Sequence, residues 1–145
     1  VAAVATAGDH ESARRERSRA PLPGQYVQEC GSCHLPYAPR LLPAESWRQL
    51  TGGLARHFGV DASLDGATTE SIASWLVAEA RVPRRSEWPP AENRITRAAW
   101  FVRKHREVDA ATWHHPAVRS AGNCAACHAG AEQGDFNEHD VRIPR

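Results

Sequence analysis

An all-α chain with much loop, in two parts, is what this sequence predicts, and three observations predict it. Apolar residues recur at intervals of three and four: Trp47, Leu50, Leu54 and His57 in one stretch, Ile95, Ala98, Ala99, Val102 and His105 in another. No run of alternating apolar and polar residues bounded by hairpin turns stands beside them. Pro83, Pro89 and Pro90 interrupt a basic stretch and mark a boundary near residues 82–93. A chain of 145 residues so divided leaves each part short of apolar surface for a core of its own.

The elements follow in order. Residues 1–7 read as the tail of a secretory signal with Ala5-Thr6-Ala7 as a small-x-small cleavage site, or as a frayed terminus; the charge-dense stretch behind it completes a flexible arm over 1–20. Pro43 can open a helix that presents Trp47, Leu50, Leu54 and His57 on one face, although Gly52 and Gly53 weaken its continuity. A second helix is expected from Thr68, Thr69 and Glu70 through Ile72, Trp75 and Leu76 to about Ala80. Beyond the prolines, the stripe from Ile95 to His105 predicts a third. Asp109 caps a short turn that reaches His115 before Pro116, and Asn123 caps a helix at the second cysteine pair. The expected parts are thus 1–20, 21–82 and 83–145.

Chemistry enters with the cysteines. Cys30-Gly31-Ser32-Cys33-His34 and Cys124-Ala125-Ala126-Cys127-His128 use all four, and each pair is followed at once by a histidine. Cys-x-x-Cys-His is a haem attachment signature: each thiol adds to one vinyl group of a porphyrin, and the adjoining imidazole reaches the iron. A Cys₄ zinc site fails on spacing, since the pairs stand roughly 90 residues apart against about 15–20 in a zinc ribbon. A thioredoxin-like pair would need a βαβ setting that is missing here. Two covalently attached haem c groups are therefore expected, held by Cys30, Cys33, Cys124 and Cys127, with His34 and His128 as proximal iron ligands. Rigid apolar bodies of that size would also supply the core that each part lacks.

Completing each iron's coordination is constrained by the absence of methionine. The thioether that raises the potential of many carrier cytochromes is unavailable, so the sixth ligand is histidine, a weaker donor or an open site. His57 continues an apolar stripe and is the distal candidate for the first haem. His105 presents the same pattern in the second part, with the His114–His115 pair as the alternative. His139, between Glu138 and Asp140, reads as solvated, and His10 lies in the polar arm. Tyr26 and Tyr37 flank the first haem motif; Tyr37 is a core aromatic or packs between the haems.

Several of these residues together resemble one family. Glu29 through His34, Leu41-Leu42-Pro43 with Trp47, His57-Phe58-Gly59 with Ala62-Ser63-Leu64, Lys104-His105, and Asn123 through His128 with Gly134-Asp135-Phe136 look like the soluble dihaem cytochrome c family called DHC. The resemblance spans about residue 26 to 145. It implies a class I cytochrome c-like domain around the first haem and a small loop-rich domain around the second. It implies bis-histidine iron in both, and supports His105 through the Lys-His pattern. It further implies electron delivery to an oxygen-binding monohaem cytochrome of the SHP type, fed by a membrane b-type cytochrome.

Charge and hydropathy bound the rest. The chain carries +1; with two haems whose propionates are ionised, the holoprotein comes to about −1 oxidised and about −3 reduced. Between 81 and 106 stand eight arginines and lysines against Glu87 and Glu92, either neutralising propionates or steering an acidic partner. Near-neutral total charge and the lack of any recognised motif exclude nucleic acid. No apolar run approaches the ~18 residues of a membrane span. The expectation is a monomeric, periplasmic, low-potential electron carrier and not an enzyme. The alternatives are a haem peroxidase or small-ligand reductase with one open iron, and an electron-transfer subunit of a periplasmic reductase.

Overall fold

The computed structural model describes residues 21–84 and 89–144. The arm over 1–20, His10, and the 85–88 portion of the expected boundary lie outside the described residues. Five α-helices carry the rest: α1 Gly24–Cys30, α2 Ala44–Gly52, α3 Gly66–Ala78, α4 Ala99–Lys104 and α5 Ala110–His114. Short 3₁₀ turns join them. Among the described residues, extended pairing is limited to isolated bridges such as Pro43 with Arg81 and His128 with Val141.

The predicted helices form with two changes of boundary. α2 begins behind Pro43 and ends at Gly52, so the stripe breaks: Leu54–Arg56 is a separate 3₁₀ turn and His57 its C-cap. α3 starts earlier than the threonines suggest, because Asp65 is the N-cap and its Oδ1 accepts from Thr68 N at 2.9 Å. Asp109 caps α5 as expected, accepting from Thr112 N at 2.7 Å.

The Ile95–His105 stripe is corrected more deeply. Ile95–Arg97 is a 3₁₀ turn, Ala98 is extended at φ −65° and ψ 138°, and α4 begins only at Ala99. The break resets the helical phase, so Val102 is 59% exposed and Phe101, not Val102, is buried. The cysteine pair at 124–127 likewise sits on a 3₁₀ turn, Cys124–Ala126, not a helix. Asn123 does not cap it; its Nδ2 donates backward to Val118 O at 3.0 Å.

Tyr26, Leu42, Trp47, Ile72 and Leu76 form the main core, with Tyr37, Leu64, Trp75 and Ile95 packed against it. Full burial of such a side chain contributes roughly 1.5–3 kcal/mol. Residues 37–43 are the seam between this core and the second cysteine pair. Trp47 Nε1 donates to Pro39 O at 2.7 Å and Trp100 Nε1 to Leu41 O at 3.2 Å. Arg81 N donates to Leu42 O at 3.0 Å, and Arg40 reaches Gly134 O. Ala98, Phe101, Val118 and Ala131 are the buried apolar residues of the second part.

Candidate haem-binding sites

The first Cys-x-x-Cys-His follows α1 without a gap. Cys30 ends the helix, and Gly31 closes it by donating its N–H to Val27 O at 2.9 Å. A side chain at 31 is barred, because a Cβ would lie 2.3 Å from that carbonyl oxygen. Cys33 and His34 stand exposed beyond this turn, while Cys30 is half-buried. His57 arrives from the 3₁₀ turn after α2, and the chain then reverses through Phe58 at φ 50° and Gly59 at φ 93°. Val60 N closes the reversal on His57 O at 3.0 Å. The His34 and His57 ring centres are 6.1 Å apart, with planes 22° from parallel.

The second motif is held by its flanks. His128 N donates to Cys124 O at 2.9 Å, and Arg142 N donates to Cys127 O at 2.8 Å. Gly130 lets the chain fold back over the motif, since a Cβ there would meet the Asp135 Cβ at 2.8 Å. His105, the C-cap of α4, stacks on Phe101 with ring centres 4.0 Å apart. The His105 and His128 ring centres are 6.2 Å apart, with planes 79° from parallel.

These two separations fit one metal ion between each pair. Taking about 2.0–2.1 Å for a metal–imidazole bond, as in zinc sites, and roughly 1.1 Å from nitrogen to ring centre, two axial imidazoles stand about 6.3 Å apart. In each pair one ring has its Nδ1 against a backbone carbonyl: His34 on Leu35 O at 2.7 Å, His105 on Phe101 O at 2.9 Å. An Nδ1–H so held leaves Nε2 with its lone pair, the arrangement of a metal-ligating histidine. The opposite rings, His57 and His128, keep Nδ1 buried and without a hydrogen bond. Buried polar atoms left unpaired are uncommon in folded proteins, and Ser46 Oγ is another in this chain. Burial first, and the facing histidine second, hold both His57 and His128 below the ordinary histidine range, which favours the neutral, coordinating form.

All four cysteines are free, and burial raises Cys30, Cys124 and Cys127 above the usual thiol range. Aromatic rings stand beside three of the four histidines: Tyr37 stacks on His34 at 5.0 Å, Phe58 meets His57 edge-on at 4.9 Å, and Phe136 meets His128 at 5.4 Å. Trp113 lies 5.8 Å from His105.

The remaining described histidines are used otherwise. His114 is exposed, with Nδ1 on Ala110 O at 2.7 Å; His115 accepts from Ala117 N at 3.1 Å and organises the turn at Pro116. His139 is exposed and lines a cleft beside His128. Phe101 is the functional residue that the sequence stripe passed over, although its position four before His105 is a readable signal.

Tyr37 joins the two sites. Its ring lies on His34, and its hydroxyl donates to Gly122 O at 2.7 Å, the carbonyl that Cys124 Sγ also approaches at 3.6 Å. Tyr26 OH in turn donates to Tyr37 O at 2.7 Å, which ties the bridge to the core.

Comparison with known proteins identifies the family. The family model for DHC, dihaem cytochrome c, matches residues 26–136. The chain belongs to the dihaem cytochrome c family. It is similar to the crystal structure of a dihaem cytochrome type c from Shewanella baltica OS155, at 41% identity and a TM-score of 0.74, covering 85% of this chain and 95% of that one. It is similar also to a dihaem cytochrome c from Rhodobacter sphaeroides, at 41% identity and a TM-score of 0.69, covering 81% of this chain and 100% of that one. A comparison with curated proteins finds no match. Membership makes this dihaem cytochrome c an electron-transfer haem protein with two haem c groups.

Proposed function

We propose that this dihaem cytochrome c is a periplasmic, low-potential electron carrier with both irons closed by two histidines. The observation that carries it is the pair of ring separations, 6.1 Å for His34 with His57 and 6.2 Å for His128 with His105. Cys30 and Cys33 would hold the first haem and Cys124 and Cys127 the second. Bound haem supplies a one-electron ferric/ferrous couple. The chain's own residues do the remainder. Leu35 O and Phe101 O orient one imidazole of each pair, Phe58, Phe101 and Phe136 wall the rings, and Tyr37 fixes the distance between the sites. With no open position, such a molecule exchanges electrons and takes a small ligand only where that ligand first displaces a histidine.

Secretion and partner rest on chemistry and on likeness. Bacterial c-haem attachment occurs outside the cytoplasm, and among the described residues no helix is long and apolar enough to cross a membrane. The carrier acts as a monomer, with an SHP-type monohaem cytochrome c as acceptor and a membrane b-type cytochrome as donor. Redox partners of this kind meet through interfaces under about 1,200 Å² steered by charge.

Stopped-flow mixing of reduced protein with an oxidised SHP-type cytochrome tests this. Transfer should be fast at low salt and fall as salt approaches and passes 0.1 M, where the Debye length is about 10 Å. Slow transfer at every ionic strength, with saturable turnover of peroxide or nitrite by this protein alone, would establish the enzyme in its place.

A further inference from the structure

Three of the four described non-glycine residues with positive φ meet at one place beside His57: Phe58 at 50°, Glu92 at 57° and Asn93 at 55°. Two of them are consecutive, on a segment that lies more than 30 positions further along the chain. Backbone in this region costs energy for residues with a Cβ, and such strain persists only where surrounding contacts over-determine it. Those contacts are visible. Asn93 Nδ2 donates to Gln49 Oε1 on α2 at 2.9 Å. Glu92 Oε2 takes Arg94 Nε at 3.0 Å and Arg97 at 3.1 Å. The Arg94 guanidinium, aimed by that carboxylate, lies 4.3 Å from the centre of the Phe58 ring, and Phe58 is the ring set edge-on against His57.

We infer that Glu92, Arg94 and Phe58 form a clasp that holds His57 at the first haem, with Arg94 as a positioning residue. The inference rests on His57 being the distal ligand. Phe58 is 45% exposed, so the cation above its ring adds to the Val60 N–His57 O hydrogen bond in holding the reversal shut. An opened clasp frees the 57–60 turn, and His57 leaves the iron more often. The distal ring of the second site is held differently: His105 is seated on Phe101, which is 7% exposed, and its Nδ1 is anchored in its own helix, while the similar stack there, Arg40 at 5.8 Å over Phe136, bears on the opposite ring, His128. Exchange at the two irons is thereby controlled separately.

Cyanide binding to the ferric holoprotein at neutral pH reads this out, since the ligand arrives as neutral HCN and is indifferent to loss of a positive charge. Displacement of an axial histidine limits its rate. His57→Ala first identifies the first-haem phase by making it fast; if neither phase becomes fast, the assignment of His57 itself fails. Arg94→Gln should then speed the first-haem phase about two- to fivefold, the worth of one partly exposed cation–π contact, and leave the second-haem phase unchanged. Phe58→Leu should match it, the double variant should add nothing further, and Arg94→Lys should restore most of the original rate. A fast phase in His57→Ala together with an unaltered rate in Arg94→Gln would overturn the clasp alone. Equal acceleration of both phases would also overturn it, as general loosening.

Discussion

Replacing His57 with alanine should convert about half of the iron from low-spin to high-spin and make that half reactive toward carbon monoxide, and His105→Ala should do the same to the other half. The size of the effect follows from the composition. The chain has no methionine, and among the described histidines His114 and His115 are turned to other contacts and His139 is exposed, none of them in ring contact with either pair. Room-temperature absorption of the ferric and the carbon monoxide-treated ferrous variants measures both effects. If His105→Ala leaves both haems low-spin while a double substitution of His114 and His115 opens one, the second distal ligand is in that pair. Both variants should keep two covalent haems per chain, because the four cysteines are untouched.

Redox titration should give two one-electron steps, both below the standard hydrogen potential. Imidazole donates more strongly to ferric iron than a thioether does, so two histidines hold the oxidised form. Reduction also adds negative charge to a holoprotein already near −1 when oxidised, by the +1 of the chain and about −1 per ferric haem. The steps need not coincide, since the ring planes differ by 22° in one pair and 79° in the other. Parallel imidazoles split the two iron π orbitals that perpendicular ones leave nearly equal in energy. Two ferric low-spin resonance signals of unequal anisotropy are expected, the more anisotropic vanishing in His105→Ala. A step well above the hydrogen potential would contradict two-histidine ligation of that iron.

Local chemistry was legible in this chain, and long-range closure was not. Two Cys-x-x-Cys-His motifs, the Asp109 cap and the break risk at Gly52-Gly53 could all be read from neighbours a few positions apart. The apolar stripe that points to His57 is broken by the structure at Gly53, yet the His57 ring still stands 6.1 Å from that of His34. His105 was placed from a stripe whose phase was wrong. An extended Ala98 separates Ile95 from α4, so Val102 turns to solvent and Phe101 supplies the contact that the stripe assigned to its neighbour. The Tyr37–Gly122 hydrogen bond spans 85 positions and the Phe58–Arg94 contact spans the proline-rich boundary. Neither leaves a periodic trace, since each depends on how stretches far apart in sequence meet.

The most direct test of the central claim, that both irons are closed and the molecule only passes electrons, is the absorption spectrum of the unmodified ferrous holoprotein before and after carbon monoxide. A spectrum of two low-spin haems that the gas leaves unchanged is the predicted result. Rapid formation of a carbon monoxide adduct at one haem would show an open iron and contradict the claim.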